Sequence, residues 1–408
     1  MISRFQSPRR STSDLNARLR LRHVAAVAVL LCVTAPPAAA QQSISDVLSF
    51  FVTNQSIATG DFVRDEQAAA ATRDAISRFL ALELATRPVT SAGGFTYRLD
   101  PALGTVVRSS NSFGPFVTER SLTVGRLQGS VGMSYRSATF DNIDGRSLRD
   151  GTLVSTASIL RGDPQPFDVE TVSLQIQTDT ITLSGNLGVT DRLDISAAVP
   201  FVSLSLRGER IDTYRGEQFL QATGSASASG PGDIVLRAKY NVLRRGASGL
   251  AVGGETRLPT GSTENLLGSG QTRVRPHFMA SFEGARVGVH GDVGYSFSDI
   301  SNELDYSGAV AVVAAPRVTL VGELSGRRLD DFGRLASTIE PHPQLAGVDT
   351  IRLTSVRQTT DRIVAVMGFK WNVAGASLVN VSVLRPLTDV GLNASWVPTV
   401  TFDYSFGR

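Results

Sequence analysis

Three histidines follow residue 40: His277, His290 and His342. His277 and His290 fall on adjacent expected strands with the same facing, and Ser281, Asp292 and Ser296 stand near them in sequence. A serine within reach of a histidine base is the arrangement of nucleophilic catalysis, and His277, His290 and Asp292 are ligand types that zinc accepts. No nucleophile motif and no metal-ligand spacing accompanies them, so the sequence predicts no catalytic residue, no metal and no cofactor. His342, between Pro341 and Pro343, reads as a loop residue. Leu258-Pro259-Thr260-Gly261 with Gly268 and Gly270 is glycine-rich, but a phosphate cradle needs a following helix and a lysine. It reads as a structured turn, or as a loop folded into a pore.

The chemistry that remains is charge. Arg237, Lys239, Arg257, Arg273, Arg275, Arg327, Arg362 and Lys370 share one face of their segments with Glu255, Asp292 and Glu323, and with His277 and His290. Such a face either satisfies a polar interior by cross-strand pairing or sets up a field that favours anions. On the second reading, replacing Arg273 and Arg275 with Glu moves ion preference toward cations.

The elements that position these groups are strands. In Asp233–Leu243, Ile234, Leu236, Ala238, Tyr240 and Val242 alternate with Val235, Arg237, Lys239 and Asn241, and Arg273–Phe282 and Val287–Phe297 repeat the pattern. Period two of this kind belongs to a sheet with one apolar and one wet face. Twelve strands are expected, near 121–141, 169–188, 193–211, 232–243, 249–258, 272–282, 287–298, 305–313, 318–329, 351–372, 377–385 and 392–406. A break near Gln358–Asp361 would change the count. Most are as long as the about 9–11 residues of a tilted transmembrane strand.

Tight links (Thr190–Arg192, Arg244–Ser248, Glu283–Arg286, Ala314–Arg317, Val373–Ala376) alternate with long ones (Asn142–Asp168, Asp212–Pro231, Pro259–Gln271, Asp330–Thr350). Short turns on one rim and long loops on the other are the outer-membrane barrel pattern. Aromatic residues mark the rims: Phe282, Phe369, Trp371 and Tyr404 toward the turns, Phe140, Tyr295, Phe297 and Tyr306 toward the loops. Strands two and three change alternation near Thr178-Asp179 and Pro200, which predicts bulges there.

The fold class expected is all-β: an antiparallel transmembrane barrel of about 12 strands over 116–408, preceded by a short helical extension over 41–115. In the extension Asp61 can cap a helix that carries Ile76, Phe79, Leu80 and Leu84 on one stripe and stops at Arg87-Pro88. It reads either as a separately packed periplasmic helix or as a plug. Residues 1–40 read as a signal peptide: Arg18, Arg20 and Arg22, an apolar run Val24–Thr34, then Pro36-Pro37 and Ala38–Ala40. That run is shorter than the about 20 residues of a spanning helix. The segment holds six of the 40 basic residues and one of the 37 acidic ones, which leaves 34 against 36 and a formal net of −2. No basic run with interleaved aromatics remains, so no nucleic-acid partner is expected. The single cysteine, Cys32, lies in the same segment.

From Gly232 to Phe297 the chain resembles the outer-membrane barrel family named for the meta-pathway of phenol degradation. The resemblance rests on Gly232-Asp233-Ile234, Lys239-Tyr240, Leu258-Pro259-Thr260-Gly261, Leu267-Gly268-Ser269-Gly270 and Gly291–Phe297. Gly188–Leu193 and Val199-Pro200 extend it to about residues 180–300. The family's name links it to aromatic catabolism, so the resemblance implies a transporter in the outer membrane that takes up small or apolar compounds, and it carries no catalytic residues.

The function expected is passive uptake of small solutes, aromatic or anionic, through a mildly basic lumen. Outer-membrane lipid, the barrel assembly machinery and the solute are the partners. The last strand, with Trp396, Val400, Phe402, Tyr404 and Phe406, resembles an assembly signal, although Gly407-Arg408 follows its final Phe. The alternatives are a barrel enzyme that acts on lipids, and a structural or adhesive barrel.

Overall fold

A computed structural model describes residues 42–53, 57–85, 94–100, 105–298 and 301–407. The expected signal peptide lies outside the described residues. Twelve strands close a barrel: β1 Gln128–Phe140, β2 Pro166–Gly188, β3 Leu193–Tyr214, β4 Ile234–Arg245, β5 Ser248–Leu258 and β6 Arg273–Glu283, then β7 Val287–Ser296, β8 Glu303–Ala315, β9 Val318–Pro341, β10 Val348–Ala374, β11 Ser377–Pro386 and β12 Val397–Gly407. Each pairs antiparallel with the next, and β12 returns to β1 through Thr399↔Arg136 to Gly407↔Gln128. Closure leaves no open edge, the condition under which a sheet crosses lipid.

Alternation sorts the side chains. On β4, Leu236 and Tyr240 face outward while Val235 and Asn241 are buried inward. Val131, Met133 and Tyr135 on β1, Ile181, Leu183 and Leu187 on β2, and Val400, Phe402 and Tyr404 on β12 continue the outer band. So much exposed apolar surface on one belt is a lipid-facing surface. Trp371 and Phe406 mark the short-turn rim. Trp396 marks the other, with the Arg385 guanidinium 4.9 Å from its ring centroid. The outer faces of β2 and β3 turn polar at Asp179 and Ser203, which pair across the ladder, and Tyr135 Oη donates to Asp179 Oδ1 at 2.8 Å there. The membrane-spanning part of these strands ends at that level.

Beyond it the sheet continues. Leu153–Leu160 pairs with β2 and the outer end of β10, Glu217–Pro231 pairs with β3, and β9 and β10 run together to Pro341↔Asp349. Much of what read as long loops is therefore strand, because water on the outside removes the apolar half of the alternation. The bulges expected on strands two and three do not exist: β2 and β3 pair without a shift from Asp168↔Tyr214 to Gly188↔Asp194. Even-numbered residues face inward throughout. What switches is the apolar side, inward at Val172, Leu174, Ile176, Val202, Leu204 and Leu206, outward at Ile181, Leu183 and Phe201. The break expected near Gln358–Asp361 is instead a bulge on the partner strand between Leu329 and Phe332, where Asp331 takes φ 51°. Phe140, expected at the rim, is buried inward because it lies beyond the lipid band.

Those inward apolar residues pack against two helices, α1 Ile44–Val52 and α2 Phe62–Ala85. α1 starts with a capping box, Ser43 with Asp46. Phe51 sits against Gly208 and Gly224, where a Cβ would crowd its ring. On α2, Asp61 Oδ1 accepts the Arg64 N–H at 3.2 Å, and Ile76, Phe79 and Leu80 are fully buried, Phe79 5.3 Å from the Phe332 ring. Asp65 pairs with Arg352 at 2.7 Å and Thr72 Oγ1 donates to Leu353 O at 3.0 Å. Farther along α2, Glu83 pairs with Arg362.

Candidate site in the barrel lumen

A polar side chain that faces into a barrel needs a partner, since leaving it buried and unpaired costs about 1–3 kcal/mol. The lumen wall meets that demand in two ways. The first is cross-strand pairing on β4 to β9. Arg237 Nε donates to Glu255 at 2.6 Å, and Arg257 lies 3.8 Å from the same carboxylate. Arg273 reaches Glu303 at 2.9 Å and Asp305 at 3.3 Å, and Arg327 pairs with both of those acids. Asp292 is held by Arg275 and by His277 Nδ1 at 2.6 Å. Arg237↔Glu255, Glu255↔Arg275 and Asp305↔Arg327 are directly opposed register positions, which places charge beside charge, while Arg273 reaches past β7 to β8 and Arg257 lies two residues from Glu255 on the same strand.

The second is a grip on the chain's own backbone. Residues 113–124 precede β1 and run inside the lumen. Glu323 accepts the N–H groups of Phe116, Val117 at 3.0 Å and Thr118 at 2.8 Å. Lys370 donates to the carbonyls of Phe113 and Pro115. Lys239 Nζ donates to Arg120 O at 3.2 Å and Leu122 O at 2.9 Å, Asn241 Nδ2 to Ser121 O at 2.7 Å, and Asp194 accepts Val124 N–H at 3.0 Å. Glu119 from this segment adds a second acid to Arg237, at 3.5 Å.

Near the short turns, His290 Nδ1 lies 3.0 Å from Ser281 Oγ and its Nε2 3.6 Å from Glu283. Ser281 Oγ also accepts the Ser121 N–H at 2.9 Å, and Glu283 accepts from Ser112 Oγ. Ser281, His290 and Glu283 thus line up, but under the inward segment, and the His290 side chain is fully buried. His342 lies far from these groups: its Nε2 meets Ala58 O at 3.0 Å. Among the described residues no group of three or more His, Cys, Asp or Glu is placed to hold a metal ion.

The inward-facing side chains singled out from alternation therefore fall into three sets. Arg237, Glu255, Arg257, Arg273, Arg275, His277, Asp292 and Arg327 stand together on the wall. Lys239, Glu323 and Lys370 hold the segment, with His290 reaching it through Ser281. Arg362 meets α2. Glu119, Glu303 and Asp305 complete the wall and were not singled out. Glu303 and Asp305 open β8 at what reads as a loop boundary, yet their spacing of two, matching Arg273 and Arg275, was the available signal.

Residues 150–333 match the model of a family described as "Putative MetA-pathway of phenol degradation". None of the curated proteins matches the chain. Among solved structures, the chain is similar to the COG4313 outer membrane channel from Pseudomonas putida F1, at 12% identity and a TM-score of 0.46, over 70% of this chain and 98% of that one. It is also similar to the translocator domain of the autotransporter NalP from Neisseria meningitidis, at 10% identity and a TM-score of 0.32, over 69% and 89%. A third is the CymD monoaromatic hydrocarbon channel, at 9% identity and a TM-score of 0.28, over 69% and 90%.

Proposed function

Starting from the family match across residues 150–333, we propose that the chain is an outer-membrane channel for passive uptake of small solutes. The observation that carries the reading is the lumen: a charged wall inside a closed barrel whose outer face is apolar. The described residues between 42 and 124 narrow this path as a plug, α1 and α2 at the loop end and residues 113–124 nearer the short turns. Arg237, Arg257, Arg273, Arg275 and Arg327 are matched in number by Glu119, Glu255, Asp292, Glu303 and Asp305, so the tilt toward anions rests on Arg257, and the solute includes aromatic compounds. Ser281, His290 and Glu283 hold the segment and do not hydrolyse lipid, because Ser281 Oγ is engaged by Ser121 and all three face away from the membrane. Assembly uses the barrel machinery through β12.

The test is single-channel current in a planar bilayer, comparing residues 41–408 with a chain that begins at Gly114. A steady conductance that rises on shortening supports a plugged channel. Silence from both, with heat-modifiable folded barrels, overturns the channel reading. Lipid turnover lost in His290→Ala would favour an enzyme instead.

A further inference from the structure

The lumen wall is unevenly satisfied. Arg273 and Arg327 share Glu303 and Asp305, Arg275 has Asp292 and also reaches Asp305 at 3.3 Å, and Arg237 has Glu255 and Glu119. Among the described residues Arg257 has only the far oxygen of Glu255 as an ion-pair partner, at 3.8 Å, beyond hydrogen-bond length, although it is 4% exposed. Its Nε, together with Arg273 Nε and Arg327 Nη1, is a buried donor with no hydrogen-bond acceptor among the described residues. All three guanidinium groups line one cavity of about 90 Å³. Val117, Ser325 and Arg327 also line a second cavity of about 50 Å³, whose other walls include Ala138, Val364 and Leu384. A donor-rich chamber thus adjoins one walled by these apolar side chains together with Glu83, Arg136 and Arg362.

The geometry points to a binding station for a small organic acid: a carboxylate that accepts from Arg257, Arg273 and Arg327, with a compact apolar body against Val117, Val364 and Leu384. A planar carboxylate matches the guanidinium fork. Five arginines face five acids in and around the chamber (Glu119, Glu255, Asp292, Glu303, Asp305), so the surplus is local, at Arg257, and suits a monoanion better than phosphate. The inference deepens the channel reading and rests on it for the route by which the acid arrives.

The experiment is calorimetric titration of the full chain in lipid nanodiscs with benzoate, benzyl alcohol and inorganic phosphate. Benzoate saturates a single site, and the two other probes bind at least tenfold more weakly. Arg257→Gln, in a barrel shown to be folded by heat-modifiability, weakens benzoate at least tenfold, and Arg257→Lys recovers part of the loss. Val364→Phe fills the apolar side, leaves every guanidinium in place and weakens benzoate to the same degree. Equal binding of benzyl alcohol would mean partition into lipid, and equal binding of phosphate would mean a general anion site. Either of those, or unchanged affinity in Arg257→Gln or Val364→Phe, overturns the station. Binding is read here without flux. A barrel that conducts but ignores benzoate overturns the station alone, whereas one that binds benzoate but never conducts overturns the channel.

Discussion

Glu323 on β9 and Lys370 on β10 hold consecutive stretches of one backbone from its two chemical sides, the carboxylate taking the N–H groups of residues 116–118 and the ammonium the carbonyls of Phe113 and Pro115. Charge-assisted hydrogen bonds are about twice as strong as neutral ones. The pair is therefore expected to set how firmly residues 113–124 stay in the lumen. Glu323→Ala with Lys370→Met should raise mean conductance and expose the segment to added protease, with the barrel still heat-modifiable. Unchanged current and cleavage would show that Lys239, Asn241 and Asp194 suffice.

Val400 stands between Trp396 and Phe406 on the outer face of β12, nearer the first. A charge at the lipid midplane of a barrel costs about 2–4 kcal/mol. Val400→Arg should lower unfolding free energy in urea by that amount, while the inward neighbour Thr401→Arg should not follow the depth rule. Equal losses at both sites would contradict the placement of the lipid band.

Phe79 is fully buried between Phe332 and Gly391. Emptying such a site costs about 3–5 kcal/mol. Phe79→Ala should loosen α2 before the barrel, so amide exchange along Phe62–Ala85 speeds up while β4–β7 stay protected. Uniform acceleration would mean that helix and barrel unfold as one unit.

Asp168 lies on β2 well beyond the lipid band, close to Asp212 of β3. Burial, and then the Asp212 carboxyl, raise its pKa to about 7. A carboxyl raised in the folded state favours the protonated form, so its contribution is fully present below about pH 4 and is lost as pH rises through about 7. The outer sheet of β2 and β3 should therefore exchange amides faster, relative to β5 and β6, as pH goes from 5 to 8 after correction for intrinsic rates. Asp212→Asn removes the like charge and should flatten that dependence. A wild-type profile as flat as the variant's would exclude the pair as its source.

Alternation alone located the barrel strands and their inward faces, because lipid on one side and a wet lumen on the other impose a strict period of two. The same rule misled where the surroundings changed. Val172 to Ile176 and Ile181 to Leu183 look like a register slip, but the chain passes from a helix-packed interior to a lipid-clad exterior without one. Residues 121–127 read as the start of a strand, yet β1 begins at Gln128, since Ser121 and Val124 are bonded to side chains of the wall. Such contacts join residues 70 and 120 positions apart and leave no local pattern. α1 goes unanticipated in the sequence reading, which expects only the helix after Asp61, although Ser43, Asp46 and the spacing of Ile44, Val47, Leu48 and Phe51 carry its signal.

The wall takes hold of residues 113–124 largely by peptide groups, which nearly all amino acids share. Substitutions at 116–118 thus alter what the lumen presents without loosening the anchor, proline excepted, because it alone lacks the N–H. The mutational burden falls on the barrel instead: a single change at Glu323 releases three donors at once. The passage can be retuned within that short stretch while the twelve strands that carry it stay untouched.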